Sequence, residues 1–363
     1  MKRTWLPLFL IFLCFAFTTC NKQPTAPEPL KPGNRNYTWK LDTLYMPMNY
    51  IDSVWGAAPN DVWATGAGGT EYDRLLHYDG EKWSTYKNEP INCCGHSLYG
   101  FSANDIWMGG QAGWGYKGAG IWHYNGVEWS QNFVYYVDGA YDVQVQHLWG
   151  TAPSDVYASG VVGYHEDSID NFRGFVLHYD GNSWKEVVRA QFDSQFLKVR
   201  KNHNRVIVQS YERGGTSSAQ HVIAFYQVKP NKLIKLYETT LETIYWVSLH
   251  VINDKTYFVI GPDVYEYLAT GKMAKRLSFP QPEFECQICG RTEADLFVYM
   301  KDGIAHYNGV DLQYLYKFPT ARMGGFNDPM IFEKEVFFCI DNPLGSIYTR
   351  NMMLHGILTE DSI

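Results

Sequence analysis

The sequence predicts an all-β fold: a single β-propeller, in which four-stranded blades form a ring. Three observations support this prediction. A sequence repeat recurs at spacings of 44 and 50 residues, each copy contains an Asp-Gly or Asn-Gly pair, and the chain holds 27 Tyr, 20 Phe, 12 Trp and 32 Gly. Aromatic and glycine-rich repeats of this kind are typical of propeller blades, with their short strands and tight turns. Counting the repeats along the chain gives seven blades and leaves six or eight open.

The clearest repeats begin at Ser53, Ser97 and His147, and in each an aromatic residue and a glycine follow closely. We assign this part to the innermost strand of a blade. A second strand follows Asp61 and its equivalents, and a third ends in His-Tyr. The Asp-Gly or Asn-Gly pair that comes next is a strong hairpin signal, with both residues expected at positive φ. The Trp after each pair then begins the outer strand.

The repeat weakens towards the C-terminus but persists. Residues 291–309 are a clear fourth copy. Two degenerate blades are expected at about 196–238 and 244–278, and a last blade at about 321–353. A separate strand at residues 354–358 is the alternative that would change the blade count.

Residues 37–44 are expected to close the ring. They carry the Trp-led alternation of an outer strand and have no blade of their own to join. Pairing with the final blade would cover strand edges that an open ring leaves exposed. The sequence therefore predicts a propeller closed by an N-terminal strand.

These repeats resemble the Trp-Gly, Asp-Val-Trp and His-Tyr-Asp-Gly-x-x-Trp type found in bacterial surface lipoproteins and kelch-like propellers. The resemblance covers nearly all of the chain beyond residue 36 and is strongest over residues 53–187. It implies the fold but no single activity, because propellers host many functions. The Asp-box of sialidases separates Asp and Gly by one residue, whereas here they are adjacent, so sialidase activity is not implied.

Residues 1–19 are predicted to be a signal peptide. A short basic head precedes an apolar run at residues 5–17, which is shorter than the roughly 18–20 residues that a membrane-spanning helix needs. The run ends in Phe-Thr-Thr and Cys20. This resembles a bacterial lipoprotein signal and implies a lipid on Cys20, although Phe17 departs from the usual Leu. The alternative is an ordinary secretory signal.

Residues 20–36 contain four prolines and are expected to form a lipidated tether between the membrane and the propeller at residues 37–363. Asn21, which follows the cysteine, resembles the sorting signals that direct lipoproteins to the outer membrane. We therefore expect a location in the bacterial cell envelope, on the outer membrane, facing either the periplasm or the surface.

The composition and motifs argue against several functions. A formal net charge of −7 disfavours nucleic acid as a partner. No metalloprotease, serine-hydrolase or phosphate-loop motif is present, and no catalytic residue, metal or cofactor is predicted. Four histidines and four aspartates recur at equivalent repeat positions, which the ring would hold apart. Strand-end hydrogen bonds and turns, rather than a metal site, are expected at His77, His123, His178 and His306 and at Asp61, Asp105, Asp155 and Asp295.

Five cysteines follow Cys20: Cys93, Cys94, Cys286, Cys289 and Cys339. The odd number leaves at least one thiol free or paired with another molecule. Cys286 and Cys289 have the spacing of redox and zinc motifs. However, alternate residues of a strand point to opposite faces, so we expect buried thiols or a disulfide instead.

The connections between the second and third strands of the blades, and several links between blades, are long and would crowd one face of the ring. They are rich in aromatic residues, which suit sugar or protein recognition, although such rings also pack within their own loops. The predicted ligand-binding residues are Tyr72, Trp114, Tyr116, Tyr135, Tyr136, Tyr141, Tyr164 and Phe172.

Together these observations predict a lipid-anchored propeller that binds a glycan or protein ligand without catalysis. Its other partner would be the membrane, through the lipid on Cys20. A polysaccharide-active lyase or hydrolase with a site near the central channel is the first alternative, and a structural subunit of an envelope complex is the second.

Overall fold

The computed structural model describes residues 31–44, 50–67, 75–86, 94–112, 117–166, 169–214, 220–240, 247–318, 322–323, 328–342 and 351–359. These residues form seven separate sheets of antiparallel strands, one for each blade. The prediction of a seven-bladed β-propeller is thus confirmed. The described residues include no helix that is long and apolar enough to cross a membrane.

Blades 1 to 6 follow one another along the chain, and in each the first strand is innermost and the fourth outermost. Blade 1 consists of β2 (Tyr50–Ala58), β3 (Asp61–Ala67), β4 (Leu75–Tyr78) and β5 (Trp83–Thr85). Blade 2 consists of β6 (Gly95–Ser102), β7 (Asp105–Gln111), β8 (Gly118–Tyr124) and β9 (Trp129–Tyr136). Blade 3 consists of β10 (Asp142–Ala152), β11 (Asp155–Glu166), β12 (Ile169–Tyr179) and β13 (Trp184–Arg189).

The next three blades include the two degenerate repeats, which are regular in the structure. Blade 4 consists of β14 (Gln195–Asn202), β15 (Arg205–Glu212), β16 (Val222–Lys229) and β17 (Lys232–Thr240). Blade 5 consists of β18 (Val247–Ile252), β19 (Lys255–Ile260), β20 (Asp263–Tyr267) and β21 (Met273–Ser278). Blade 6 consists of β22 (Phe284–Thr292), β23 (Asp295–Met300), β24 (Gly303–Tyr307) and β25 (Leu312–Lys317).

Blade 7 closes the ring with strands from both ends of the chain. Its strands are β26 (Arg322–Met323), β27 (Met330–Ile331), β28 (Glu335–Asp341), β29 (Asn351–Leu358) and, outermost, β1 (Tyr37–Thr43). β1 pairs with β29 over seven residues, from Tyr37 opposite Leu358 to Thr43 opposite Met352. This confirms the N-terminal closing strand. Residues 354–358 belong to β29, so the alternative of a separate strand there is wrong.

The innermost position of blade 7 is divided between β26 and β27, which both pair with β28. Asp328 and Pro329 lie outside this pairing, directly before β27. The interruption frees Asp328 from the strand ladder and lets its side chain reach other blades.

The Asp-Gly and Asn-Gly pairs form the predicted hairpins, but the turn differs from the expected one. Gly80 has a φ of 96°, while Asp79 keeps a negative φ. The Asp79 carboxylate accepts hydrogen bonds at 2.9 Å from the amides of Glu81 and Lys82. These bonds stabilise a four-residue connection in place of a two-residue type I′ turn, so only the glycine needs positive φ.

The repeated histidines form the expected strand-end hydrogen bonds, each with the repeated aspartate of the same blade. The distance between His Nε2 and Asp Oδ1 ranges from 2.7 to 2.9 Å. The aspartates begin the second strands and do not lie within the turns. The four pairs are His77–Asp61, His123–Asp105, His178–Asp155 and His306–Asp295.

Neighbouring blades pack face to face through apolar side chains. In one such layer Trp107 and Ile121 of blade 2 meet Val143, Leu148 and Phe175 of blade 3, and all five are buried. Burial of aromatic and branched residues between sheets is the main source of stability in a fold of this kind. Serine side chains add hydrogen bonds between inner strands, as in Ser53 Oγ, which accepts from the Leu98 amide at 2.9 Å.

Gly33 and Arg35, assigned above to the tether, contact blade 6. The Gly33 amide donates to the Ala294 carbonyl at 2.7 Å. The Arg35 guanidinium donates to Asp311 Oδ1 at 2.8 Å and to the His306 carbonyl at 3.0 Å. The chain is therefore bound to the ring a few residues before β1 begins.

Four cysteines lie in the described part of the chain, Cys94, Cys286, Cys289 and Cys339, and all four are free thiols. Cys286 Sγ donates to the Gly261 carbonyl at 3.1 Å. Cys289 Sγ instead lies 3.8 Å from the Phe297 carbonyl. The two thiols thus have different surroundings, and burial raises the pKa of Cys286 to about 12. Cys93 lies outside the described residues.

Candidate functional site

The inner strands surround a central channel that holds a cavity of about 650 Å³. Strands of all seven blades contribute side chains to its wall. Pockets of this size commonly accommodate small ligands or the ends of larger ones. The channel is therefore the candidate functional site of the described structure.

One wall of the channel carries two buried cations. Lys198 and Arg200 lie two residues apart on β14 and are 5% and 3% exposed. Both bind the carboxylate of Asp328, which comes from blade 7: Lys198 Nζ lies 3.0 Å from Oδ1, and Arg200 Nη2 donates to Oδ2. Blade 4 faces blade 7 across the seven-membered ring, so this ion pair bridges the channel.

The Arg200 guanidinium is also held by groups other than Asp328. It lies over the Trp149 ring, with Cζ 4.5 Å from the ring centroid. Its Nη1 donates to the Val199 carbonyl at 3.0 Å and lies 2.8 Å from His147 Nε2. Stacking on an aromatic ring together with a backbone acceptor fixes the orientation of a guanidinium.

The electrostatics of the channel follow from burial and from these cations. Burial and the neighbouring Arg200 lower the pKa of His147 to about 4, so its imidazole is neutral near pH 7. Burial and the charges of Lys198 and Arg200 also hold the pKa of His250 well below its usual range. Burial alone would raise the pKa of Asp328, but Arg200 and Lys198 outweigh it and hold that pKa well below its usual value.

Two further polar groups line the channel. His96 Nδ1 lies 3.0 Å from Asp52 Oδ2 and joins blades 1 and 2. His250 Nε2 lies 2.6 Å from Ser248 Oγ, which donates to the Cys286 carbonyl. The bond to Ser248 thus anchors the neutral His250 imidazole, whereas Asp52 and His96 place a carboxylate and an imidazole together at the cavity wall.

Three aromatic side chains from equivalent positions of blades 1 to 3 also line the cavity: Trp55, Tyr99 and Trp149. Tyr99 donates to the Gly150 carbonyl at 2.6 Å, and Trp149 Nε1 to the Lys201 carbonyl at 3.2 Å. Tyr99 and Trp149 are therefore each anchored to the next blade and present rigid apolar surface.

The structure places five of the eight predicted ligand-binding aromatics, and most lie on strands where loops were expected. Tyr135 and Tyr136 are on β9, Tyr164 on β11 and Phe172 on β12. Strands β11 and β12 pair as far as Glu166 and Ile169, and β9 pairs with β8 as far as Tyr136, so these strands extend through residues expected in loops. Tyr141 lies in the link before β10. Tyr72, Trp114 and Tyr116 lie outside the described residues.

Four of these five rings contact side chains of their own neighbourhood. Tyr141 stacks on His165 with ring centroids 3.9 Å apart. Tyr164 accepts a hydrogen bond from Arg189 at 3.1 Å, and Arg213 lies over Phe172. Tyr135 donates to Glu186. Tyr136 is 59% exposed, so it has the most surface for a ligand. Ligand binding by these residues stays a prediction.

Sequence reasoning missed the channel residues Asp52, His96, His147, Lys198, Arg200, His250 and Asp328. One signal was present: Lys198 and Arg200 alternate with apolar residues on an inner strand, where a charged pair is costly to bury without a partner. Asp328 had no comparable signal. Among the described residues, no group of three or more His, Cys, Asp or Glu side chains is arranged to hold a metal ion.

Solved structures with this fold share little sequence with the chain. The structure described as YCF48 bound to D1 peptide has a TM-score of 0.59 and 14% identity and covers 91% of this chain and 100% of its own. The β-propeller domain of the Trilobed protease from Pyrococcus furiosus has a TM-score of 0.52 and 10% identity and covers 86% and 99%. The extracellular domain of BT4673 from B. thetaiotaomicron has a TM-score of 0.52 and 11% identity and covers 87% and 40%.

No protein-family model matches the sequence, and the comparison with curated proteins gives no match. At identities of 10 to 14%, the structural likeness shows the fold alone. The chain is therefore a seven-bladed β-propeller.

Proposed function

We propose that this protein is a lipid-anchored propeller of the bacterial cell envelope that binds a glycan or protein ligand in its central channel without catalysis. The cavity is the observation that carries the proposal: about 650 Å³ of space is bounded by anchored aromatic rings and by charged side chains. Rigid apolar surface with a few fixed polar groups is the usual composition of a ligand-binding pocket.

The cellular address in this proposal rests on the sequence. A lipid on Cys20, preceded by the signal peptide at residues 1–19, would hold the protein on a membrane. Asn21 favours the outer membrane. The tether before residue 33 would keep the propeller clear of the bilayer and leave its channel accessible.

The structure of YCF48 bound to D1 peptide supports a peptide as one form of the ligand, because that similar chain has a peptide bound. The likeness alone does not transfer that role at 14% identity. A peptide segment and an oligosaccharide both offer groups that stack on aromatic rings and form hydrogen bonds with charged side chains.

One observation favours the enzymatic alternative. The Asp52 carboxylate orients His96 through Nδ1, and a carboxylate-oriented imidazole at a cavity wall is the arrangement of a general base. A polysaccharide lyase or hydrolase would use such a pair. We rank this second because the sequence contains no catalytic motif.

The test uses the purified full-length chain on a glycan array and on a peptide array, with product analysis of every compound that binds. We expect reproducible binding with no product. Product formation that His96→Gln abolishes and His77→Gln leaves intact would establish the enzyme instead, because His77 lies outside the channel wall. Absence of binding on both arrays would contradict the proposal.

The predicted aromatic surface is tested on the same arrays. Tyr136→Ala removes the most exposed of the five described rings, and Tyr314→Ala is the matched control on β25, where Tyr314 is 37% exposed. If Tyr136 contributes to the site, its replacement weakens binding and the control does not. Equal binding by both variants would restrict the site to the channel.

A further inference from the structure

The ion pair across the channel is asymmetric in its accessibility. The side chains of Lys198 and Arg200 are 6% and 3% exposed, whereas that of Asp328 is 37% exposed. The carboxylate therefore covers the two cations on the side of the cavity. A ligand in the channel reaches Asp328 first and the cations only where Asp328 has moved aside.

The cationic half of this group does not depend on Asp328 for its geometry. Arg200 is held by the Trp149 ring, by the Val199 carbonyl and by His147. Its orientation towards the channel would thus persist without the carboxylate. Asp328, in contrast, belongs to no strand ladder and sits between the two short strands of blade 7.

The charges of the group do not balance. Lys198 and Arg200 carry two positive charges, His147 is neutral near pH 7, and the Asp328 carboxylate supplies one negative charge. The charged groups that act on Asp328 are Arg200 and Lys198. The other carboxylates on the cavity wall are Asp341 on β28 and Asp52, which lies 3.0 Å from His96. Within this group two cations therefore share one carboxylate, which favours a further or replacement anion at Lys198 and Arg200.

We propose that Lys198 and Arg200 form a subsite for a carboxylate group of the ligand, which Asp328 fills in the free protein and the ligand takes over. This inference rests on the proposed binding function and names the chemistry of its ligand. Asp328 shows the required geometry: one oxygen lies 3.0 Å from Lys198 Nζ, and the other accepts from Arg200. Such charge-assisted contacts match a carboxylate well.

The carboxylate could come from an acidic sugar or from the C-terminus of a peptide. Both have an apolar part that the Trp149 ring beside Arg200 can contact, and the cavity of about 650 Å³ accommodates either. The shared chemistry is the carboxylate group, and the experiment separates the two sources.

The first experiment removes the internal competitor. Asp328→Ala, in the full-length chain, is titrated calorimetrically with galacturonic acid against galactose, and with a tripeptide acid against its C-terminal amide. We expect one acid to bind the variant at least about tenfold more tightly than it binds the wild type, because no internal carboxylate must be displaced. Galactose and the tripeptide amide, which lack the carboxylate, should bind the variant no more tightly than the wild type. The additional change Arg200→Met should remove the gain.

The second experiment needs no natural ligand. Asp328→Ala should melt at a lower temperature than the wild type, and acetate at an ionic strength matched with chloride should raise its midpoint but not that of the wild type. If the alanine variant does not fold, Asp328→Asn replaces it in this experiment, because asparagine keeps the size of the side chain. Adding Lys198→Met to either Asp328 variant should abolish the rise of the melting temperature with acetate.

The outcomes separate this subsite from the general binding function. The subsite would be overturned, and the binding function would stand, if array ligands bound equally well with and without a carboxylate and Arg200→Met left their binding unchanged. If acetate bound at Lys198 and Arg200 but no compound on the arrays bound, the subsite would stand and the proposed binding function would be contradicted. Asp328 variants that neither respond to acetate nor favour acids would show that the ion pair only ties blade 7 to blade 4.

Discussion

His306 Nε2 lies 2.7 Å from Asp295 Oδ1, and the imidazole is completely buried between the second and third strands of blade 6. The equivalent pair in blade 1, His77 and Asp61, has a separation of 2.8 Å, but the His77 side chain is 29% exposed. The same hydrogen bond is thus repeated at two depths. In blade 6 it is also flanked by Arg35, 3.4 Å from His306 Nδ1, and by Arg291, 2.9 Å from Asp295.

We expect His306→Ala to cost about 3 kcal/mol of unfolding free energy and His77→Ala about 1 kcal/mol. The first substitution leaves a cavity and removes one of two partners from the half-buried Asp295 carboxylate, which also binds Arg291. Water can take the place of the more exposed His77 side chain. Denaturant unfolding of both variants measures the difference. Equal losses would mean that the bond, and not its burial, determines its contribution.

The second prediction concerns positive φ. Gly126 and Gly139 have φ values of 91° and 76°. A Cβ on Gly126 would lie 2.2 Å from Asn104 Oδ1, whereas a Cβ on Gly139 would meet no atom within 4 Å. We expect Gly139→Ala to cost about 1 kcal/mol from backbone strain alone and Gly126→Ala about 2–3 kcal/mol. Similar unfolding midpoints for the two variants would contradict the steric part of this argument.

The hairpins show which features a sequence can predict. Asp79 and Gly80 act through bonds to residues two and three positions away, so their pattern is legible in a short window. The blade count followed because this local pattern repeats. The turn type was wrong because the side chain of Asp79, and not the backbone of a type I′ turn, organises the connection.

The channel site shows the opposite case. Lys198 and Asp328 are 130 residues apart in sequence and meet only when seven blades close the ring. No local period connects them, since Asp328 lies in an interruption of blade 7 where the repeat has faded. The alternation of Lys198 and Arg200 with apolar residues on β14 indicates a functional inner strand. The sequence does not identify Asp328 as the partner of these two cations.

The third prediction is a pH dependence. The folded-state pKa of His147 is lowered to about 4 from its ordinary value of 6.5, so between these values the unfolded chain binds the proton more readily than the folded one. Stability therefore rises with pH in this window and falls on acidification, by up to about 3 kcal/mol for this residue. His250 acts in the same direction.

His147→Gln should flatten part of that slope, because glutamine does not titrate. Denaturant unfolding of the wild type and the variant between about pH 4 and pH 7 is the measurement. His77→Gln provides the control, since His77 lies outside the channel. An unchanged slope in His147→Gln would show that His147 is not held neutral in the folded protein.

The fourth prediction tests the proposed anchor. Cys20→Ser should move the protein from the membrane fraction to the soluble fraction or leave it unprocessed, because the apolar run at residues 5–17 is too short to span a bilayer. Cys14→Ser is the matched control within the same segment and should leave fractionation unchanged. Retention of Cys20→Ser in membranes at the wild-type level would argue against the lipid.

The last prediction concerns ring closure. β1 pairs with β29 along its whole length, and Trp39 packs against Gly356, where a Cβ would meet its ring at 2.5 Å. Trp39 also lies 6.3 Å from Phe338 and 5.8 Å from Tyr316, measured between ring centroids. The strand therefore contributes backbone hydrogen bonds and an aromatic contact that joins blades 6 and 7.

Deleting residues 37–44 should lower the thermal midpoint strongly, because the edge of β29 would lose its partner and Phe338 part of its cover. Deleting residues 21–32 should change the midpoint little, since this deletion stops before Gly33, whose amide binds blade 6. Thermal melts of the two deletions are compared with that of the full chain. Equal midpoints would show that the ring is stable without its N-terminal strand, and a large loss from the second deletion alone would place the stabilising contacts before β1.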